Sequence, residues 1–471
     1  MQTQLSRRAF LAATGTLGVG CASSPATSTP DLETAGTARR AAGMPGFVGL
    51  QTLQDRRDRL LARYPGLLTR QVVGQSRNGR PIELVTLGGG ARSALVVAGI
   101  HANEPTGCLV ADLLMHELTE NDSLRRRLDT TWHFINPLDP DGFVLNEGWF
   151  SSAPSLSNYF RHFYRPALAR QSDYTFPLKV GSHEFSVRPP ENLAFQAALD
   201  IARPQLLFPL HSCDFGGAFF ILSRSLPTFE SRLRELAEEL GVPVSAIGEP
   251  FTELAQFSRG VFEAPRPHEM IRSALEHGVA DPRSVWPAGG SSMEYADRYG
   301  ALSVVIETPG WETRQVPSTR WTLGQIVDEQ MVQLQTTLPL MEQWTPETAA
   351  SGPSSELAWS CAAYLAAQRS QIARLPELKA AASGGLLSAS DTASLRIQLA
   401  LIGLRGPATL LRVLAEPSHR PNPRALQDLQ SVIRSGLAAV ERIAPLEPTH
   451  RPTMIALQAR ACLEAAQLGG L

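Results

Sequence analysis

Hydrophobic positions fall into two regimes along the chain. Short, nearly continuous apolar runs mark its first two thirds: Arg70-Val73, Pro81-Leu87, Ala94-Ile100, Thr131-Ile135, Gln205-Leu210 and Ser303-Ile306. Runs of this length without alternation are the pattern of strands buried on both faces of a sheet. Several open directly into polar residues, as in Ile100-His101, Leu210-His211 and Ile306-Glu307. Between them the period changes to that of helices: Leu50, Leu53, Leu60 and Leu61 stop at Pro65-Gly66, and Val110, Leu113, Leu114 and Leu118 follow Pro105. The turn-rich segment Gly74 to Arg80 joins two of the strands as a hairpin.

After Trp344 the pattern changes. Residues 345–355 are rich in Pro, Gly, Ser and Thr, and beyond them Leu and Ala recur at helical spacing over 358–375, 389–404, 407–414, 424–443 and 454–468. These stripes predict packing faces of about five helices. The expected architecture is α/β: a mixed central sheet flanked by helices over 47–345, followed by an all-α appendage over 346–471.

The first 46 residues read differently. Ser6-Arg7-Arg8-Ala9-Phe10-Leu11 precedes a small, apolar run too short to span a bilayer, and the segment resembles a twin-arginine export signal. Val19-Gly20-Cys21 is similar to a lipobox, so residues 1–21 are expected to be an export signal, with lipidation of Cys21 and simple cleavage both open. Residues 22–46, rich in Ala, Ser, Thr, Pro and Gly, are expected to form a tether. An exported protein, periplasmic or lipid-anchored on the outer face of a membrane, is implied.

Composition narrows the classes of function. The 43 Lys and Arg nearly balance 45 Asp and Glu, a net charge of −2 that leaves no basic field for a phosphate backbone, so nucleic acid is not an expected partner. Only two of the cations, Lys179 and Lys379, are lysines, a bias of genomic composition. None of the five cysteines forms a Cys-x-x-Cys pair, and Cys361 and Cys462 are candidates for a disulfide. No later segment is an uninterrupted apolar stretch of membrane-spanning length, which leaves the lipid at Cys21 as the only expected anchor.

The chemistry is sought where strands end, because ligands gather at the carboxyl ends of strands in open α/β sheets. His101 and Glu104 stand three residues apart at such an end, a spacing that lets both side chains converge on one ion. With 10 histidines in the chain, one such pair is expected by chance, so the pair alone is weak. His211 ends another apolar run and completes a His-Glu-His set with one position open for water. Glu307 ends a third run, with no local cation before Arg314, a placement suited to a general base with a raised pKa.

Taken in order, the motifs resemble the zinc carboxypeptidase family over residues about 47–340. They are the 74–80 turn, His101-x-x-Glu104, Asn136-Pro137 through Asp141-Gly142-Phe143, Pro190-Glu191, His211-Ser212, Gly290 to Tyr295, and Glu307. The resemblance implies one zinc per chain held by His101, Glu104 and His211, with Glu307 as the catalytic carboxylate. It also implies an arginine for the oxyanion from the interval holding Arg161 and Arg165, with a slight preference for Arg165. Ser212, Trp286 and Met293 are then substrate-side residues. The Asn-Arg dipeptide with which typical members clamp a terminal carboxylate is missing between Gly142 and Leu206, and Trp286 stands near where a tyrosine is common. The expected activity is hydrolysis of an amide bond, foremost at a peptide C-terminus. An amidase or deacylase acting on N-acyl amino acids or cell-wall peptides is the rival enzyme, and a catalytically inactive binding scaffold is the rival of another class.

Overall fold

The structure, a computed structural model, describes residues 32–44, 46–151, 153–248, 250, 254–346, 356–381, 384–416 and 422–468. Residues 1–21, the expected export signal with Cys21, lie outside them. The order of elements is α1 (Leu32–Ala42), α2 (Leu50–Arg63), β1 (Leu68–Gln75), β2 (Pro81–Leu87), β3 (Arg92–Val97), α3 (Thr106–Glu120), α4 (Asp122–Leu128), β4 (Thr130–Ile135), α5 (Pro140–Phe150) and α6 (Leu156–His162). Then come β5 (Leu178–Val180), β6 (His183–Phe185), α7 (Pro190–Ala202), β7 (Leu206–Phe215), β8 (Phe219–Leu222), α8 (Pro227–Glu239), β9 (Gln256–Ser258), β10 (Val261–Glu263), α9 (Pro267–Glu276), α10 (Ser292–Ala296) and β11 (Leu302–Glu312). The C-terminal part is α11 (Leu323–Trp344), α12 (Glu356–Ala381), α13 (Ala389–Ala415), α14 (Pro423–Ile443), β12 (Glu447–Pro448) and α15 (Arg451–Gln467).

A ten-stranded mixed sheet runs β1-β2-β4-β3-β7-β11-β8-β10-β9, with β12 added to the far end of β11. Its centre is parallel: β3 pairs β4 and β7, and β7 pairs β11. Parallel strands need crossovers, and the helices that make them cover both faces, which is why the central runs are apolar throughout. One face buries Val96 and Phe208 under α3 and Ile306 under α15, and the other buries Leu95, Val97 and Leu207 under α7.

The strands differ from the sequence reading in extent. β3 stops at Val97, and Gly99 turns the chain with φ of +61° where a Cβ would come within 2.5 Å of Pro137. Only glycine fits there, and the turn delivers His101 into a loop rather than onto a strand end. β7 and β11 instead run on past His211 and Glu307 to Phe215 and Glu312, because each is the other's neighbour along that length.

Two regions depart from the expected domain plan. The tether expected over 22–46 includes α1, whose Thr37 and Ala41 are buried and whose Arg40 pairs with Glu117 at 2.8 Å and Glu120 at 3.0 Å. Composition hid this helix because its small residues suit close packing against another helix. The region 346–471 is likewise not one body. α12, α13 and α14 pack on α11 and on one another, whereas α15 enters the main sheet core with Met454, Ile455, Leu457, Cys462 and Leu463.

Cys361 and Cys462 are both buried and free, in different apolar clusters, so the candidate disulfide, left open by the sequence, is not formed. α13 is long and apolar enough to cross a membrane, a feature the sequence reading missed by splitting it at Gly406-Pro407. Most of its apolar window is buried within the protein, the position of a core helix.

Candidate metal centre

β7 and β11 lie side by side with Glu307 paired in register to His211, so the two side chains share a sheet face on adjacent strands. The loop after Gly99 brings His101 against them, and α3 begins just beyond with Glu104 buried at its approach. His101 Nδ1 lies 3.0 Å from Glu104 Oε1 and 3.1 Å from His211 Nδ1, and His211 Nδ1 lies 3.2 Å from Glu104 Oε2. Ligands about 2.0–2.1 Å from a tetrahedral zinc stand about 3.3 Å apart, so this convergence matches a single shared ion.

The other ring nitrogens face a second carboxylate. Asp173 places Oδ1 at 3.4 Å from His101 Nε2 and Oδ2 at 3.6 Å from His211 Nε2, and its Oδ1 is buried without a hydrogen-bond partner. His101, Asp173 and His211 thus also offer three ligand atoms within 4.8 Å of one another. The two Nδ1 atoms converge to 3.1 Å with Glu104 against both, which leaves Asp173 an orienting role: with Nε2–H turned toward it, each Nδ1 keeps its lone pair for an ion on the Glu104 side. A carboxylate behind a ligating imidazole fixes its tautomer and strengthens it as a donor. Two imidazoles, Glu104 and the orphaned Asp173 oxygen together fit a zinc ion.

The electrostatics agree with a cation-seeking centre. Burial and the Arg165 guanidinium both oppose protonation of His101, yet Glu104 and Asp173 outweigh them and move it up to about 9. Burial would raise Glu104, but His101 and Arg165 reverse this and hold it well below the usual carboxylate range. Asp173 is lowered against its own burial by His101, His211 and Arg165.

Of the two candidate arginines, only Arg165 arrives. Its Nη1 donates to Glu104 at 2.8 Å and its Nη2 lies 3.2 Å from His101 Nε2, whereas Arg161 is exposed in the last turn of α6. The reason is local: Phe163 and Tyr164 are fully buried, and the backbone around them is fixed from the C-terminal helices. Arg412 donates to the His162 and Phe163 carbonyls at 2.6 and 2.9 Å, and Ser360 donates to the Arg165 carbonyl.

The substrate-side candidates scatter around this centre. Ser212 donates its backbone N–H to Glu104 Oε2 at 3.1 Å, while its side-chain oxygen is buried without a partner. Trp286 donates to the Gly289 carbonyl at 2.7 Å and packs edge-on to Tyr174 at 5.5 Å, and Tyr174 stacks on His101 at 6.3 Å. Met293 packs against Ala264 and Val305, the latter two residues before Glu307 on the same face of β11.

The sequence reading missed Asp173, Tyr174, Arg405 and Gln458. Asp173 and Tyr174 sit in a short turn with no motif around them, and only the fold brings them to the histidines. Arg405, from α13, donates to Asp214 at 2.7 Å, and Tyr159 joins the same carboxylate at 3.0 Å beside Asn103.

The family model described as "Zinc carboxypeptidase" matches residues 54–156, the segment holding His101 and Glu104. Among solved structures, the chain is similar to a putative metallopeptidase from Shewanella denitrificans OS217, at 14% identity and a TM-score of 0.37 over 55% of this chain and 82% of that one. It is similar to a metallo-carboxypeptidase from Burkholderia cenocepacia at 18% identity and 0.33, covering 54% of this chain and 58% of that one. For carboxypeptidase A from Helicoverpa armigera the values are 17% and 0.37, covering 59% and 71%. Residues 54–156, which hold His101 and Glu104 of the centre, are thus similar to the zinc carboxypeptidase family.

Proposed function

We propose that the protein is an exported zinc hydrolase that cleaves an amide bond at the C-terminal end of a peptide, with one zinc held by His101, Glu104 and His211. The observation that carries this reading is the convergence of the two Nδ1 atoms and both Glu104 oxygens within 3.0–3.2 Å, with Glu307 in register beside His211. A zinc ion there supplies a Lewis acid for the scissile carbonyl and makes a water acidic near neutral pH.

The chain's own groups do the rest. Glu307, 6% exposed on the floor of the sheet, takes a proton from the attacking water and returns it to the departing amine. Arg165 provides positive charge for the oxygen that turns anionic. Asp173 holds both imidazoles with Nδ1 free of protons, and Tyr174 and Trp286 give one side of the centre an apolar wall.

A second reading, an amidase or deacylase of N-acyl amino acids or cell-wall peptides, is favoured by the missing Asn-Arg dipeptide: the turn that carries Asp173 continues as Tyr174-Thr175-Phe176. Comparing a peptide with its C-terminally amidated form separates the two, since a carboxypeptidase loses the blocked substrate. Glu307→Gln tests the role of the base. Zinc content should stay at one per chain while kcat falls about 10²- to 10⁴-fold, and full turnover in this variant would falsify the assignment. The export signal and Cys21 support a periplasmic or lipid-anchored location, and labelling with a radioactive fatty acid should be lost in Cys21→Ala.

A further inference from the structure

The region after residue 346 also reaches the centre from behind, through Gln458. Gln458, on α15, is fully buried, and its Nε2 donates to the His211 carbonyl at 2.5 Å and to the Ile306 carbonyl at 2.8 Å, with Thr308 Oγ1 at 3.1 Å. Two of these partners are backbone carbonyls, which only accept, so the amide nitrogen must be the group facing the strands.

Each contacted carbonyl belongs to a peptide group next to the chemistry. The His211–Ser212 peptide accepts from Gln458 at its oxygen, and its N–H donates to Glu104 Oε2 at 3.1 Å. A continuous chain of donors therefore runs from the Gln458 amide through one peptide plane to a proposed ligand, and such chains polarise and stiffen one another. The Ile306–Glu307 peptide is held by the same amide, so one nitrogen ties the strand that carries His211 to the strand that carries Glu307.

Resting on the zinc-hydrolase reading, we propose that Gln458 is a positioning residue: it fixes the backbone of β7 and β11 so that His211, Glu104 and Glu307 keep their mutual placement. The C-terminal helix is thereby part of the active centre. A ligand's supporting contacts are worth about 10- to 100-fold in metal affinity or activity.

The test uses the full-length protein with zinc as the probe. Gln458→Leu keeps the bulk and removes the donors, and Leu457→Ala, one position away in the same core, serves as a control for loosening of the helix. Zinc dissociation constants from chelator competition, kcat, KM and melting temperature are measured for each. The expected result is about 10-fold weaker zinc and about 10-fold lower kcat in Gln458→Leu with KM unchanged, while Leu457→Ala loses melting temperature and keeps both. Wild-type zinc affinity and kcat in Gln458→Leu overturn the proposal, as does an equal loss in Leu457→Ala.

Should Gln458→Leu fail to fold, Gln458→Asn retains the amide one methylene too short to span both strands. A loss of about threefold in zinc affinity is expected there, and none overturns the proposal. A wild-type protein that binds no zinc overturns the zinc-hydrolase reading and this inference together. One that binds zinc but cleaves no amide overturns only the hydrolase reading, and the dissociation constants still decide the role of Gln458.

Discussion

The two sides of the histidine pair carry a carboxylate each, and they are built differently. On the Nδ1 side, Glu104 stands three residues from His101 and meets both imidazoles at 3.0–3.2 Å. On the Nε2 side, Asp173 comes from a distant turn and stands off at 3.4–3.6 Å. A carboxylate set against two Nδ1 atoms that stand 3.1 Å apart suits shared coordination, and one that faces the opposite ring nitrogens suits orientation of the rings. In the proposed zinc centre one side thus coordinates and the other orients, and the two make unequal demands.

That inequality is open to measurement. Glu104→Ala should abolish stoichiometric zinc, weakening affinity on the order of 10³-fold or more, because one of the three proposed ligands is lost. Zinc retained at full affinity in this variant, with loss in Asp173→Ala instead, would reverse the assignment of the two sides.

Asp173→Asn should be milder. It keeps shape and loses charge, so zinc affinity should fall about 10- to 100-fold while the ion still binds. A change smaller than about threefold would mean that Asp173 does not orient the rings.

A third variant separates the centre from its scaffold. Arg405→Met leaves the largely buried Asp214 with Tyr159 but without its guanidinium, a loss of about 3 kcal/mol of stability or less for breaking a mostly buried pair from one side. Zinc affinity at low temperature should hardly change, since Asp214 lies outside the histidine pair. Coupled loss of zinc and stability would show that the helical layer and the centre form one cooperative unit.

The smallest effect compares His101 with a buried histidine that has no carboxylate. His133 lies on β4 with Nδ1 at 2.9 Å from Thr86, and burial lowers its pKa to about 4. Between that value and about 6.5 the unfolded chain binds the extra proton, so stability is present above the unfolded pKa and is lost as pH falls toward 4. From pH 7.5 to 5.5 the loss is about 1 kcal/mol. Denaturant unfolding at both pH values should show this slope reduced in His133→Asn, and an unchanged slope removes His133 as its source.

Legibility followed the range of each interaction. The fold class could be read because strands buried on both faces must be apolar throughout, and that pattern stands in the sequence before any folding. His101 and Glu104 were legible as a pair because a turn and a helix start bring residues three apart together. Arg165 could not be separated from Arg161, since their difference arises only when α12 and α13 pin the backbone after α6. α1 was mistaken for tether because small residues carry no apolar stripe, although they pack closely.

By itself the sequence determined the central strands, the pairing of His101 with Glu104, and the chemical kinds of the groups able to meet there. Tertiary structure alone decided that Asp173 backs both imidazoles, that Arg165 rather than Arg161 joins Glu104, and that Gln458 holds two strands from behind. The physical reason is that hydrogen bonds and ion pairs between residues 60 to 250 positions apart leave no periodicity in the chain. They exist only once burial has fixed which backbones lie side by side.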